Sequence, residues 1–478
     1  MSSSKTSPLR VILDILTKNV EILENSCKAN GTVVPDLETS FRPSSEAFRT
    51  HPDAAEASNV IVAAAHHLAA ILTPPPIALF HVVGGHFKST AIRICLESSV
   101  TEILREAGPQ GMHVEDISKK NGVDPQKLSR FLRLLAMHHI YKEITPEVFT
   151  NTRISSLLDT FKPSEVVLSN PEHKHDGTVG LTALMSHLLD EAFKGSAYAW
   201  EACSDPKIAL LGEAGSHASP FAGAVCPGET LWQYLARPTQ ASRRARFGIG
   251  MRGVNAFQPP NAVLKAYDWT KLPAGSLVVD MGGGIGSVTH SIFKLNPHLK
   301  FVVQDLPGVV EDGAKWWSSM MPKALSSGQV SFQAHDFFTP QPQRNTAVFM
   351  VKQILHDWSD NYCVKILKQL RAAATPSTTL LVLESILPYA CHDPSAHNNK
   401  GIPGAVPKEA PPPLLANYGA ANELGYLADI NMFILFNSQE RTVHHFDRLF
   451  ASSGWKLKVV NRQPGDSTFM QSMEAVPM

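Results

Sequence analysis

From Gly275 onward, short apolar runs alternate with segments of helical spacing, and this alternation predicts a doubly wound, largely parallel sheet. LVV (277–279), FVVQD (301–305), VSFQAHD (330–336), AVFMV (347–351) and TLLVLES (379–385) are the expected parallel strands. Helices are expected at 422–436 and 440–453, and KLKVV (456–460) with TFMQSMEAV (468–476) reads as a closing antiparallel pair, making seven strands. The N-terminal half lacks that alternation. Leu9, Ile12, Leu13, Leu16, Val20 and Leu23 mark a helix over 8–28, and residues 31–55 are polar and read as a loop. An Ala-rich helix over 56–72 ends at Pro74, Pro75 and Pro76, and helical spacing resumes across 77–106. VEDISKKNGV then predicts a short helix and turn, and Asp124-Pro125 opens a helix whose apolar face is Leu128, Phe131, Leu132, Leu134 and Leu135. IYKEI and VFTNT, joined at Thr145-Pro146, predict a hairpin, so the order is that of a winged helix. Helices around 181–201 and 230–250 flank a Gly/Ala/Pro-rich stretch at 212–228.

These patterns divide the chain into a helical extension (1–60), a winged-helix-like domain (61–160), a helical linker and pocket region (161–255) and an α/β domain (256–478). A break at 388–420 interrupts the last of these with seven prolines, which predicts a mobile lid or a disordered insertion. Composition changes the picture in two places. Basic and acidic residues balance at 43 each, so no global field draws the chain to nucleic acid or to an anionic membrane. Arg130 and Arg133 are the only arginines on the second winged-helix helix, whose apolar crowding favours packing or dimerisation over DNA binding. Six cysteines without a C-x-x-C pair argue against a thiolate metal site and fit a reducing compartment. With no signal-type segment and no uninterrupted apolar run of membrane-spanning length, the expected location is cytoplasmic.

The chemistry gathers at strand ends. LVVDMGGGIGSVTHS places Asp280 at the end of a strand, with Gly282, Gly283, Gly284 and Gly286 before a helix. A dinucleotide fingerprint needs a third glycine where this chain has Ser287, and a carboxylate beside a pyrophosphate is unfavourable. The spacing favours S-adenosylmethionine over a dinucleotide or a plain glycine turn. Asp305 stands where ribose hydroxyls would be held, and Asp336 with Phe337 where adenine would be stacked and hydrogen-bonded. The fourth strand leads into Lys352 and His356, and Glu384 and Glu440 supply two later carboxylates that would raise the imidazole's basicity and fix its tautomer, as a general base requires. Trp200, Trp232, Tyr234, Phe247 and Met251 suit either an aromatic pocket or the core, and core is favoured for each.

DMGGGIG, QDLPGVV, HDFF, VKQILHDWSD, LVLESIL and FNSQERT, in that order, resemble plant- and fungal-type class I O-methyltransferases, nearest the group that methylates aromatic polyketides such as sterigmatocystin. The resemblance runs from about residue 60 to the end. It implies a Rossmann-like cofactor domain with an N-terminal winged-helix module that dimerises. It further implies Gly282, Gly283 and Gly284 around the methionine moiety, Asp305 on the ribose, Asp336 and Phe337 on the adenine, and Lys352 at the cofactor. His356 would be the base, flanked by Glu384 and Glu440 with Asp357 beside it, and no metal is expected. Met251, Phe433 and Asn437 match pocket positions only loosely. The implied reaction is methyl transfer to a phenolic hydroxyl of a secondary metabolite. A pericyclase on the same fold and a winged-helix DNA-binding regulator are the alternatives.

Overall fold

Continuous apolar strands are stable only when both faces of their sheet are covered, and the helices between them supply that cover. The computed structural model describes residues 7–206, 215–258, 261–394, 401–462 and 469–478. The chain forms two units, Met1–Tyr198 with Phe221–Phe257, and Ala199–Pro220 with Gln258–Met478.

The first unit opens with helices α1 (Pro8–Asn30) and α2 (Pro52–Leu72), which pack as a hairpin. Helix α2 has the length and composition of a membrane span. It buries a small-residue stripe of Ala54, Ala55, Ala57, Val60, Ala63 and Ala64, as a helix in close contact with another does. The segment 31–55, read as loop, contains a 3₁₀ turn at Pro43–Thr50. The single helix expected over 77–106 is three: α3 (Pro75–Val83), α4 (Gly85–Glu97) and α5 (Val100–Ala107). Gly84 and Gly85 are poor helix formers at the first break, and Ser99 takes a left-handed conformation (φ 55°) at the second.

The winged-helix order is present as β1 (Met112–His113), α6 (Val114–Asn121), α7 (Pro125–Ala136), β2 (Tyr141–Thr145) and β3 (Val148–Asn151), with the strands ordered β1-β3-β2. Asp124 caps α7 by accepting the Lys127 N–H at 3.0 Å. Leu128, Leu132 and Leu135 of α7 are fully buried, and Arg133 is engaged by Glu143 and Glu147. A helix committed to the core on one face and neutralised on the other has little left to offer a phosphate backbone.

In the second unit, β4 (Leu277–Met281), β5 (Lys300–Asp305), β6 (Val330–Ala334), β7 (Val348–Lys352), β8 (Thr379–Glu384), β9 (Trp455–Asn461) and β10 (Gln471–Pro477) form one sheet. Its order is β6-β5-β4-β7-β8-β10-β9, with β4 to β8 parallel and β10 antiparallel to both neighbours. The order reverses between β4 and β7, the place where open α/β sheets bind ligands. Val279, Phe349, Val351, Leu380 and Val382 pack with Ile366, Leu367, Phe446 and Trp455 in the core beneath it.

The insertion departs from expectation. Residues 395–400 lie outside the described part, but 401–420 is packed rather than a lid. Ala405, Ala410, Leu414 and Tyr418 are buried. The Val460 N–H donates to the Pro403 carbonyl at 2.9 Å, and the Arg462 side chain donates to the Gly404 carbonyl at 2.7 Å. Gly404 is left-handed (φ 72°), and a Cβ there would lie 1.9 Å from the Val460 carbonyl oxygen. Gly404→Ala should therefore destabilise the folded protein by roughly 2 kcal/mol or more, read as a lower denaturant midpoint. An unchanged midpoint would show that the insertion does not bear on the sheet.

Candidate active site

The glycine turn leaves β4 through backbone conformations that side chains resist: Gly282, Gly284 and Gly286 have φ of 67°, 59° and 76°. A Cβ at Gly282 would meet the Ile354 side chain at 2.4 Å, whereas Gly284 faces open space. The Gly282 and Gly283 N–H groups donate to the Gln304 carbonyl at 2.8 and 3.1 Å, locking the turn to β5. Asp305, at the end of β5, accepts the Gly284 N–H at 2.8 Å, and burial pushes its pKa up. Asp280 lies beneath the turn, where its carboxylate accepts the Thr289 hydroxyl at 2.6 Å, and burial pushes its pKa to about 6.

The His335 N–H donates to the Asp305 carbonyl at 3.0 Å, fixing the loop that carries Asp336 and Phe337. Asp336 is exposed and accepts the Phe338 N–H at 3.0 Å, while Phe337 makes edge contacts with Phe338 and Trp358. Lys352 closes β7; burial lowers its pKa to about 8, and its amine donates to Gln353 Oε1 at 2.7 Å. Gln353 itself is left-handed (φ 52°), so the chain turns sharply out of the strand. A backbone cradle open at Gly284, with carboxylates and an aromatic ring at the neighbouring strand ends, fits an aminoacyl nucleoside.

Four residues beyond Lys352, His356 sits on a 3₁₀ turn, Leu355–Asp357. Its Nδ1 lies 2.9 Å from Glu440 Oε1 and 3.7 Å from Glu384 Oε2. The two carboxylates have different tasks. Glu384 Oε1 accepts the Ile354 and Leu355 N–H groups at 3.0 and 2.9 Å and so shapes the turn, whereas Glu440 holds the ring. In the neutral ring, with Nδ1–H directed at Glu440, the lone pair is at Nε2, which faces Asp357 Oδ1 only at 3.6 Å. Burial alone would lower the pKa of His356, but Glu440, Glu384 and Asp357 outweigh it and raise the value to about 10. Burial pushes Glu384 upward and Asp357 to about 6. His356, Glu384 and Glu440 bring one side-chain nitrogen or oxygen each within 4.8 Å of one another.

Two residues of this site escaped sequence reasoning. Asp429 accepts the Glu440 N–H at 2.7 Å, and Arg441 is fully buried behind Glu440. Arg441 adjoins a residue already singled out, and that adjacency was the available signal; Asp429, on the helix Leu424–Phe436, had none. Ser359 occupies the N-cap of the helix Asp360–Ala373 and makes no capping side-chain bond. Of the pocket candidates, Trp200, Trp232 and Met251 are exposed, Phe247 is partly buried and Tyr234 is buried, so core packing holds for Tyr234 and not for Trp200, Trp232 or Met251. Phe433 and Asn437 belong to the end of the helix Leu424–Phe436.

Comparison with known proteins gives the family. The O-methyltransferase domain profile matches residues 213–403, and the O-methyltransferase dimerisation domain profile matches residues 80–160. The chain is 50% identical to 4-O-methyltransferase 1 of Phanerochaete chrysosporium over 98% of this chain and 99% of that one. It is 29% identical to sterigmatocystin 8-O-methyltransferase of Aspergillus parasiticus, over 63% of this chain and 64% of that one. Among solved structures, one described as a pericyclic reaction enzyme superposes with a TM-score of 0.65 at 16% identity, covering 98% of this chain and 100% of that one, which shows a shared fold. The chain belongs to the O-methyltransferase family and is an S-adenosylmethionine-dependent O-methyltransferase with a dimerisation domain at its N-terminal side.

Proposed function

We propose that the enzyme methylates a phenolic hydroxyl of an aromatic secondary metabolite of the polyketide type, with His356 as general base. The observation that carries this reading is the 2.9 Å contact between His356 Nδ1 and Glu440, which in the neutral ring leaves Nε2 to receive a proton. The bound cofactor would supply an activated methyl group on its sulfonium. Gly282, Gly283 and Gly284 would hold its methionine part, Asp305 its ribose, and Asp336 and Phe337 its adenine, with Lys352 alongside. A phenol has a pKa of about 10, so it is mostly protonated at neutral pH. An imidazole raised to about 10 takes that proton with little thermodynamic penalty. Glu440 orients the ring and balances the imidazolium, and Glu384 holds the turn. Support for an apolar acceptor comes from the helix Leu424–Phe436, where Leu424, Leu427 and Ile430 present exposed apolar groups.

A pericyclase reading draws on the likeness to the pericyclic reaction enzyme. The buried His356–Glu440–Glu384 set favours methyl transfer, because a pericyclic rearrangement has no proton to remove. Mass spectrometry with S-adenosylmethionine and a panel of phenolic polyketides separates the two. A gain of one methyl group with release of S-adenosylhomocysteine supports transfer, whereas isomerisation without a mass change supports the pericyclase.

The unpartnered face around α3 suits a second copy of the chain. Leu79, Phe80, Val82, Val83 and Phe87 are all more than half exposed, and the dimerisation-domain match begins at residue 80. All six cysteines are free thiols, in keeping with a cytoplasmic enzyme.

His356→Gln should lose at least about 10² in turnover while the calorimetric affinity for S-adenosylmethionine is retained; unchanged turnover removes the base assignment. Since the base works only when neutral and its pKa is raised, kcat/KM should climb about tenfold per pH unit above pH 7 and level off towards pH 10. Removing the Glu440 charge with Glu440→Gln should move that rise to lower pH and reduce its plateau. A flat profile in the native enzyme contradicts the scheme. Phe80→Asp should convert a dimer into a monomer by light scattering, and a native protein that is already monomeric refutes the interface.

A further inference from the structure

We propose that Arg441 is a positioning residue that holds the Glu440 carboxylate against the His356 imidazole. The inference rests on the general-base reading above and extends it to a residue that touches neither substrate nor cofactor in that scheme. The Arg441 side chain is 0% exposed, and each of its five N–H donors has an acceptor. Nη1 donates to the Leu355 carbonyl at 2.9 Å and to the Gln439 carbonyl at 3.2 Å. Nη2 donates to the Trp358 carbonyl at 2.7 Å and contacts Cys363 Sγ at 3.5 Å, and Nε donates to Asp360 Oδ1 at 2.9 Å. Leu355 and Trp358 bracket His356 in sequence, so the guanidinium grips the His356 turn from behind.

The backbone of Arg441 completes the arrangement. Its carbonyl accepts the Leu387 N–H at 3.0 Å, and it forms a parallel bridge with Ile386, two residues beyond Glu384. One residue thus connects the turn carrying His356, the strand exit carrying Glu384, and Glu440 as its own neighbour. Asp429 fixes the Glu440 N–H from the other side at 2.7 Å. Asp360, which balances the buried guanidinium, is held in turn by His445 Nε2 at 2.6 Å. Lysine could keep the charge, but a single ammonium cannot reach three carbonyls and a carboxylate in a planar fork. A carboxylate that drifts by about 1 Å from a catalytic ring can cost about 10² in rate.

The groups facing His356 are Glu440, Glu384 and Asp357, and Glu440 is the nearest, so its displacement should be visible in the titration of His356. The test is NMR titration of the full-length protein with labelled histidine, the His356 signal being assigned from its loss in His356→Gln. In Arg441→Lys the His356 midpoint should fall by at least about one pH unit towards the ordinary 6.5, and kcat should fall about tenfold or more with KM for S-adenosylmethionine little changed. A role confined to stability would lower the denaturation midpoint and leave the His356 titration of the folded protein where it was, which would overturn the proposal. Asp360→Asn, at a half-exposed position, should shift the midpoint in the same direction by less, and it decides the matter if Arg441→Lys does not fold. An unshifted midpoint in Asp360→Asn would then overturn it. A shifted midpoint in a protein whose native form transfers no methyl supports the positioning role and rejects only the base assignment.

Discussion

Two carboxylates buried beside one imidazole are the constraint on which this structure depends. Glu384 is 0% exposed and Glu440 5% exposed, and taking either charge out of water is costly unless a cation or several donors face it. His356 provides the cation, and its own pKa rises to about 10 in consequence. The Ile354 and Leu355 N–H groups support Glu384, and the Asp429–Glu440 backbone contact with the buried Arg441 supports the other side. Each partner is needed by the next, so the cluster is rigid as well as basic.

The sheet makes that cluster possible. Glu384 ends β8, and His356 follows β7, the strand next to it, so parallel pairing in register brings their segments to the same edge. Glu440 arrives from a different direction, after the helix Leu424–Phe436, and the Ile386–Arg441 bridge docks it. The half with the glycine cradle has a parallel construction. The glycine turn, Asp305 and the Asp336 loop leave β4, β5 and β6 at the same edge, joined by the hydrogen bonds from Gly284 to Asp305 and from His335 to Asp305. The glycine cradle and the His356 cluster therefore lie on opposite sides of the switch in strand order.

Much of the site was legible because its signals are local. An acidic strand end followed by Gly282, Gly284 and Gly286 is a statement about backbone freedom, and the structure places those three glycines at positive φ. The roles of Glu384 and Glu440 were legible only as a pair of carboxylates. That one shapes a turn while the other holds the ring depends on which oxygen each backbone presents. Asp429 and Arg441 were not legible, since nothing in an isolated aspartate or arginine tells which carbonyls will surround it. The breaks at Gly84 and Ser99 inside one helical pattern were missed because apolar spacing continues across them.

By itself, the sequence determined the strand and helix order of the second unit, the conformation of the glycine turn, and the residue types available for proton transfer. Those follow from periodicity, from glycine's missing Cβ and from side-chain chemistry, all of which act within a few residues. The tertiary structure decided that His356 meets Glu440 across 84 residues of chain, that the contact is made through Nδ1, and that residues 401–420 pack instead of standing free, with Pro403 bonded to β9. The physical reason is that burial and charge pairing are properties of a neighbourhood, and a neighbourhood exists only once the sheet has brought distant segments together.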